Sequence, residues 1–105
     1  MSISSDIKDK TALLKELVEL RLPARGGSVR AQYLLGIKLG TAENGPKEVA
    51  EAVKWYRKAA QQDFAPAQNN LGLLLAGKRL ENPQPEEAVK WFRRAAQQGM
   101  AAGQW

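Results

Sequence analysis

Glu51-Ala-Val-Lys-Trp-Tyr-Arg-Lys-Ala-Ala-Gln-Gln62 returns 36 residues later as Glu87-Ala-Val-Lys-Trp-Phe-Arg-Arg-Ala-Ala-Gln-Gln98. Ten of the twelve positions are identical, and the two exchanges, Tyr56 for Phe92 and Lys58 for Arg94, keep size and character. Chance does not supply such a match, so the chain contains a duplicated unit. The same offset carries Ala31-Gln32 to Ala67-Gln68, Leu35-Gly36 to Leu71-Gly72, Leu39 to Leu75, Ala65 to Ala101 and Gln68 to Gln104. Each unit joins an Ala-Gln-x-x-Leu-Gly segment to an Ala-x-x-Trp-aromatic-x-x-Ala-Ala segment.

Both segments have the period of a helix. Ala52, Tyr56, Ala59 and Ala60 fall at i, i+4, i+7 and i+8, which makes one apolar stripe at 3.6 residues per turn. Trp55 lies beside it, with Lys54, Arg57, Lys58 and Gln61 on the outer side. Ala31, Leu34, Leu35 and Leu39 make a second stripe. Gly36 and Gly72 interrupt helices at a cost of about 1 kcal/mol each relative to Ala. A Gly kept in both copies implies a close helix–helix approach, with Ala59-Ala60 and Ala95-Ala96 on the facing side. Glu51–Lys54 and Glu86–Lys90 have the spacing of intrahelical ion pairs.

Turn signals separate the two helices of each unit. Asn44-Gly45-Pro46 and Asn82-Pro83-Gln84-Pro85 break the chain, and a Pro starts a helix without losing a needed N–H. Upstream, Asp6 to Leu22 is amphipathic but lacks the repeat signature. It reads as a divergent capping helix ended by Pro23 and Gly26-Gly27, covering the first repeat. The expected helices lie near 5–22, 28–40, 47–61, 65–77 and 85–97. The expected units are a cap over 5–26, repeats over 27–62 and 63–98, and the start of a third copy over 99–105.

Composition narrows the function. A chain of 105 residues has the length of one domain. With no Cys and no His, thiolate chemistry, disulfides and the commonest general base and metal ligand are excluded. Acid pairs such as Glu86-Glu87 lie at charged helix starts, with no Gly-rich phosphate loop or metal-ligand cluster nearby, and Glu51 and Glu87 recur as structural residues do. The chain is therefore read as no enzyme, with no catalytic residues, metal or cofactor. The formal charge of +5 is spread along the sequence without a basic arm. No run approaches a membrane span, and no basic head, apolar core and cleavage site open the chain, so a cytoplasmic location is expected.

At these residues the chain resembles the Sel-one-like repeat family, a relative of the tetratricopeptide repeat. The matching stretches are Ala31-Gln-Tyr-Leu-Leu-Gly36, Glu51 to Ala60, Ala67-Gln-Asn-Asn-Leu-Gly72 and Glu87 to Ala96. The likeness spans about residues 27–105. It departs in the loops, where a Gly-x-Gly-Val turn is not intact, and at Asp63, where the family prefers Gly. The resemblance implies an all-α fold, a right-handed α-α superhelix of helix-turn-helix repeats. It also implies a protein-interaction scaffold or adaptor, of a family whose members serve signalling, assembly and, in bacteria, host contact.

Tetratricopeptide geometry would place Arg30, Tyr33, Ile37, Asn69, Asn70 and Leu73 on the exposed concave face. There the Asn amides suit a peptide backbone and Tyr33 an anchor. Trp55 and Trp91, at the same place in each repeat, are read as packing residues. A solenoid stack needs a polar outer cap. Without one, Trp91, Phe92, Ala95, Met100 and Trp105 are expected to be exposed as an interface for self-association or partner docking. The alternative partner is a nucleic acid or other anion, met by Arg57, Lys58, Arg93 and Arg94 on successive outer helix faces.

Overall fold

The computed structural model describes residues 2–41 and 43–99, with side chains from residue 11 onward. Five helices follow one another: α1 (Ser2–Arg25), α2 (Val29–Leu39), α3 (Pro46–Ala60), α4 (Ala65–Ala76) and α5 (Pro85–Gln97). No strand occurs among the described residues. Each helix packs mainly on its neighbours in sequence, and successive helices run antiparallel. Gly36 meets Tyr56 while Gly40 meets Ala52, the crossing expected of a helical hairpin.

Helix ends follow local chemistry. Ser28 caps α2, its Oγ accepting from the Ala31 N–H at 3.2 Å. Gly45 precedes Pro46 at the start of α3, and its N–H donates to Glu48 Oε1 at 3.2 Å. Gly27, Asp63 and Gly99 take positive φ after α1, α3 and α5 respectively. That left-handed residue turns the chain after the second helix of each unit, and Asp63 adopts it where Gly would do so more easily.

The core is a ladder of small and branched residues. Leu35, Val49, Ala52, Ala59, Ala60, Ala67, Leu71 and Leu75 are wholly buried. The two helical glycines admit the aromatic of their own unit. A Cβ on Gly36 would lie 2.5 Å from the Tyr56 ring, and one on Gly72 would lie 2.7 Å from the Phe92 ring. The close approach expected from sequence is present, but its partner is the aromatic side chain rather than the Ala-Ala pair.

α1 runs past its expected end. It does not end at Pro23 but continues to Arg25. The extra turn buries Ala24, whose carbonyl accepts from Gln32 Nε2 at 3.0 Å. α1 also stands in the place of a second repeat helix. Arg21, Ala24 and Gly27 repeat, 36 residues earlier, the roles of Arg57, Ala60 and Asp63. The stack is thus a helix of the second type followed by two complete hairpins.

Candidate functional site

Two kinds of polar rung set the geometry of the surface. In the first, Arg21 Nη1 donates to Glu51 Oε2 at 2.6 Å, and Trp55 Nε1 donates to the same oxygen at 3.1 Å. One repeat later, Arg57 donates to Glu87 through Nε at 3.0 Å and Nη2 at 2.9 Å, with Trp91 Nε1 at 2.8 Å. The arginine hydrogen bonds hold both carboxyls below the usual carboxylate range, against the opposing effect of burial. The Glu51–Lys54 pairing expected from spacing gives way to this inter-helix contact.

In the second rung, Gln68 is fully buried and donates to the Ala60 carbonyl at 3.0 Å, while its Oε1 accepts from Gln98 at 2.9 Å. Gln32 does the same with Ala24 and Gln62. Ala-Gln at a fixed offset is the signal of these glutamines in the sequence, but spacing alone does not name their partners. Trp55 and Trp91 are both buried in matching surroundings, as equivalent packing residues should be.

Tyr33 and Ile37 stand on α2, and Asn70 and Leu73 on α4, the first helices of the two repeats. Ile37 and Leu73 are exposed at equivalent positions, and Tyr33 is half-buried. Its ring sits edge-on to Phe64, with centroids 5.0 Å apart, and tilted against Tyr56 at 6.0 Å. A hollow of about 170 Å³ opens among Gly40, Tyr56, Asn70, Leu73 and Leu74. Asn70 Nδ2 points to Tyr56 Oη at 3.5 Å, and burial pushes that hydroxyl up to about 12.

Arg30, on the first turn of α2, is exposed. Asn69 is buried rather than exposed, which corrects its assignment. It holds the position of Tyr33 in the repeat, and its short side chain does not clear its neighbours. Tyr56, read as core alone, contributes its hydroxyl. Arg79, unremarked in the sequence, ties down the rim: it donates to the carbonyls of Gly40 and Thr41, fixing the turn after α2.

The α5 surface is also corrected. Trp91 and Ala95 are buried, and Phe92 is half-buried beneath Gly72. Met100 and Trp105 lie outside the described residues. The bare positions are Val89, 52% exposed, and Ala96; their counterparts Val53, 7% exposed, and Ala60 are covered in the first repeat. On the outer helix faces, Arg57 is engaged by Glu87, and Arg94 pairs with Asp63 at 2.7 Å while lying over the Trp91 ring. Lys58 and Arg93 remain exposed.

A larger hollow of about 450 Å³ lies between α3 and the 77–84 loop, with Val53, Leu75 and Leu80 in its lining and Lys47, Arg57 and Glu81 among its charges. Those charges are of mixed sign and carry no acid–base or ligand constellation. Among the described residues no group of three or more acidic residues could hold a metal, and no helix is long and apolar enough to cross a membrane.

A search of curated proteins finds no match to the chain. The model of one family, the Sel1 repeat, matches twice, over residues 29–64 and 65–100. Those two matches cover most of the sequence, and their 36-residue period is the offset of the rungs, the glycines and the buried tryptophans. The chain belongs to the Sel1 repeat family.

Proposed function

We propose that the protein is a non-catalytic scaffold that binds a peptide or protein partner on the face formed by α2 and α4. Sel1 repeats generally mediate protein–protein interaction, which supports the class of function. The observation that carries the site is the exposure of Ile37 and Leu73 beside Tyr33 and the Tyr56–Asn70 hollow. Equivalent first-helix positions in both repeats present large apolar groups to solvent, next to an aromatic anchor and a polar pair. An extended segment would lay apolar side chains on Ile37 and Leu73 and direct a backbone group to Asn70.

The test is affinity capture from the source cell with the wild-type chain, then titration of the purified captured protein. Tyr33→Ala with Leu73→Ser should weaken binding by about tenfold or more, the scale of losing a hot spot. Unchanged titration in the double variant, with helicity intact, would remove the α2–α4 face as the site.

A second surface draws support from Val89 and Ala96, which are bare where the first repeat is covered. A second copy or a partner helix docking on α5 would cover them. The anionic-partner reading draws less, because Arg57 and Arg94 already face carboxylates.

A further inference from the structure

The outer face of α1 carries Leu14, Val18 and Leu22, which are 62%, 67% and 77% exposed. They fall at i, i+4 and i+8, one narrow stripe that flanks the buried face of Leu17 and Ala24. Their register is informative. The equivalent positions are Ala50, Lys54 and Lys58 in the first repeat, and Glu86, Lys90 and Arg94 in the second. Where the repeats carry mainly charge, this helix carries its largest exposed apolar groups. Packing within the chain does not require them there.

The stripe runs into a basic cleft. Arg25 lies one turn beyond Leu22. Together with Arg21, Lys54 and Lys58 it surrounds a hollow of about 240 Å³ between α1 and α3, which Glu51 and Trp55 complete. Arg21 is occupied by Glu51, while Lys54 and Lys58 sit over the Trp55 ring at 5.8 and 6.0 Å. The Trp55 ring thus has two ammonium groups within about 6 Å of its centre, and Arg25 adds a third exposed cation.

We propose that this surface is a second docking site, for an amphipathic helix with acidic residues at one end. The apolar turns of such a helix would lie along Leu14, Val18 and Leu22, and its carboxylates would reach Arg25, Lys54 and Lys58. Charge complementarity selects this occupant. A second copy offering its own α1 would bring two basic clefts toward one another. A flat anionic membrane would press on the stripe but leave the recessed cleft unfilled. Three apolar residues make a small contact, so the complex is weak and transient. The site is separate from the α2–α4 face and does not depend on it.

The experiment uses fluorescence anisotropy with the whole chain. The probe is an Ala-based helical peptide of about 18 residues, with leucines at i, i+4 and i+8 and glutamates at one end. Saturable binding that weakens with salt is expected. Val18→Lys with Leu22→Lys, which installs the first repeat's own residues, should weaken it by about tenfold or more, as should Lys54→Glu with Lys58→Glu. Circular dichroism checks that both variants keep their helices, and Tyr33→Ala with Leu73→Ser should bind like wild type. Equal binding of a peptide with lysines in place of glutamates would overturn the proposal. So would loss of binding in the Tyr33 variant, binding only to phosphatidylcholine–phosphatidylglycerol vesicles, or a self-association that Val18→Lys abolishes without any peptide binding.

Discussion

Arg57 holds Glu87 through two nearly parallel hydrogen bonds, at 3.0 and 2.9 Å, and the same carboxylate also receives the Trp91 indole. A charge placed this way joins the second helices of neighbouring units. Glu87→Gln should lower stability by about 1 kcal/mol, since the pair is partly exposed and screened by solvent. The sign with pH follows from the lowered pKa of Glu87. The folded state binds the proton more weakly than the unfolded chain, so the contribution is present above the ordinary carboxylate pKa and fades as pH falls through the lower, folded one. Urea midpoints measured from pH 7 downward should therefore fall less steeply at acid pH for Glu87→Gln than for wild type.

Gly36→Ala and Gly72→Ala should both destabilise the fold. Alanine gains about 1 kcal/mol of helix propensity, but its Cβ would fall within 3 Å of an aromatic ring that must then shift, and such overpacking costs about 1–3 kcal/mol. The net change should be negative at both sites in thermal melts. Pairing Gly36→Ala with Tyr56→Leu should lose less than the two single changes added together, because the clash and the ring disappear together.

Gln68→Leu keeps the approximate volume of a wholly buried side chain but leaves the Ala60 carbonyl and the Gln98 amide without their partner. A loss of about 1–3 kcal/mol is expected in chemical denaturation. Gln98→Ala, which removes only the exposed end of the same rung, should cost less.

Alkaline titration should separate Tyr56 from a free phenol. Burial raises its pKa to about 12, so its absorbance change should come well above the ordinary value of about 10. Here the folded state holds the proton more tightly. The stabilising contribution is complete below pH of about 10 and is lost as pH rises through the folded value. Tyr56→Phe should make stability less sensitive to pH in that window.

The architecture was legible because a 36-residue offset repeats both the apolar stripes and the punctuation between them. Gly36 announced a tight contact, yet a stripe specifies a direction and not which neighbour stands at that height. Periodicity therefore puts Tyr56 in the core without showing that it faces the glycine. The place of α1 is faint in the sequence because only scattered positions, Arg21, Ala24 and Gly27, keep the repeat's pattern. Ile37 and Leu73 are exposed, as analogy with a related hairpin predicts, while Tyr33 and Asn70 are half-buried. Burial of Asn69 depends on side-chain length relative to its surroundings, which periodicity does not report. At α5 the signal was present: Val53 and Ala60 identify what a following helix covers, and Val89 and Ala96 are their equivalents.

Because the principal contacts join only helices adjacent along the chain, mechanical load applied at the two ends would not be shared across the whole body. α5 packs mainly on α4, with the Arg57–Glu87 pair as a polar tie to α3, whereas α3 packs on α2 on one side and α4 on the other. Tension should then pull the protein open like a zip from an end, releasing chain in short steps instead of one rupture. Rewinding would need only local search, since every helix finds its partner a few residues away.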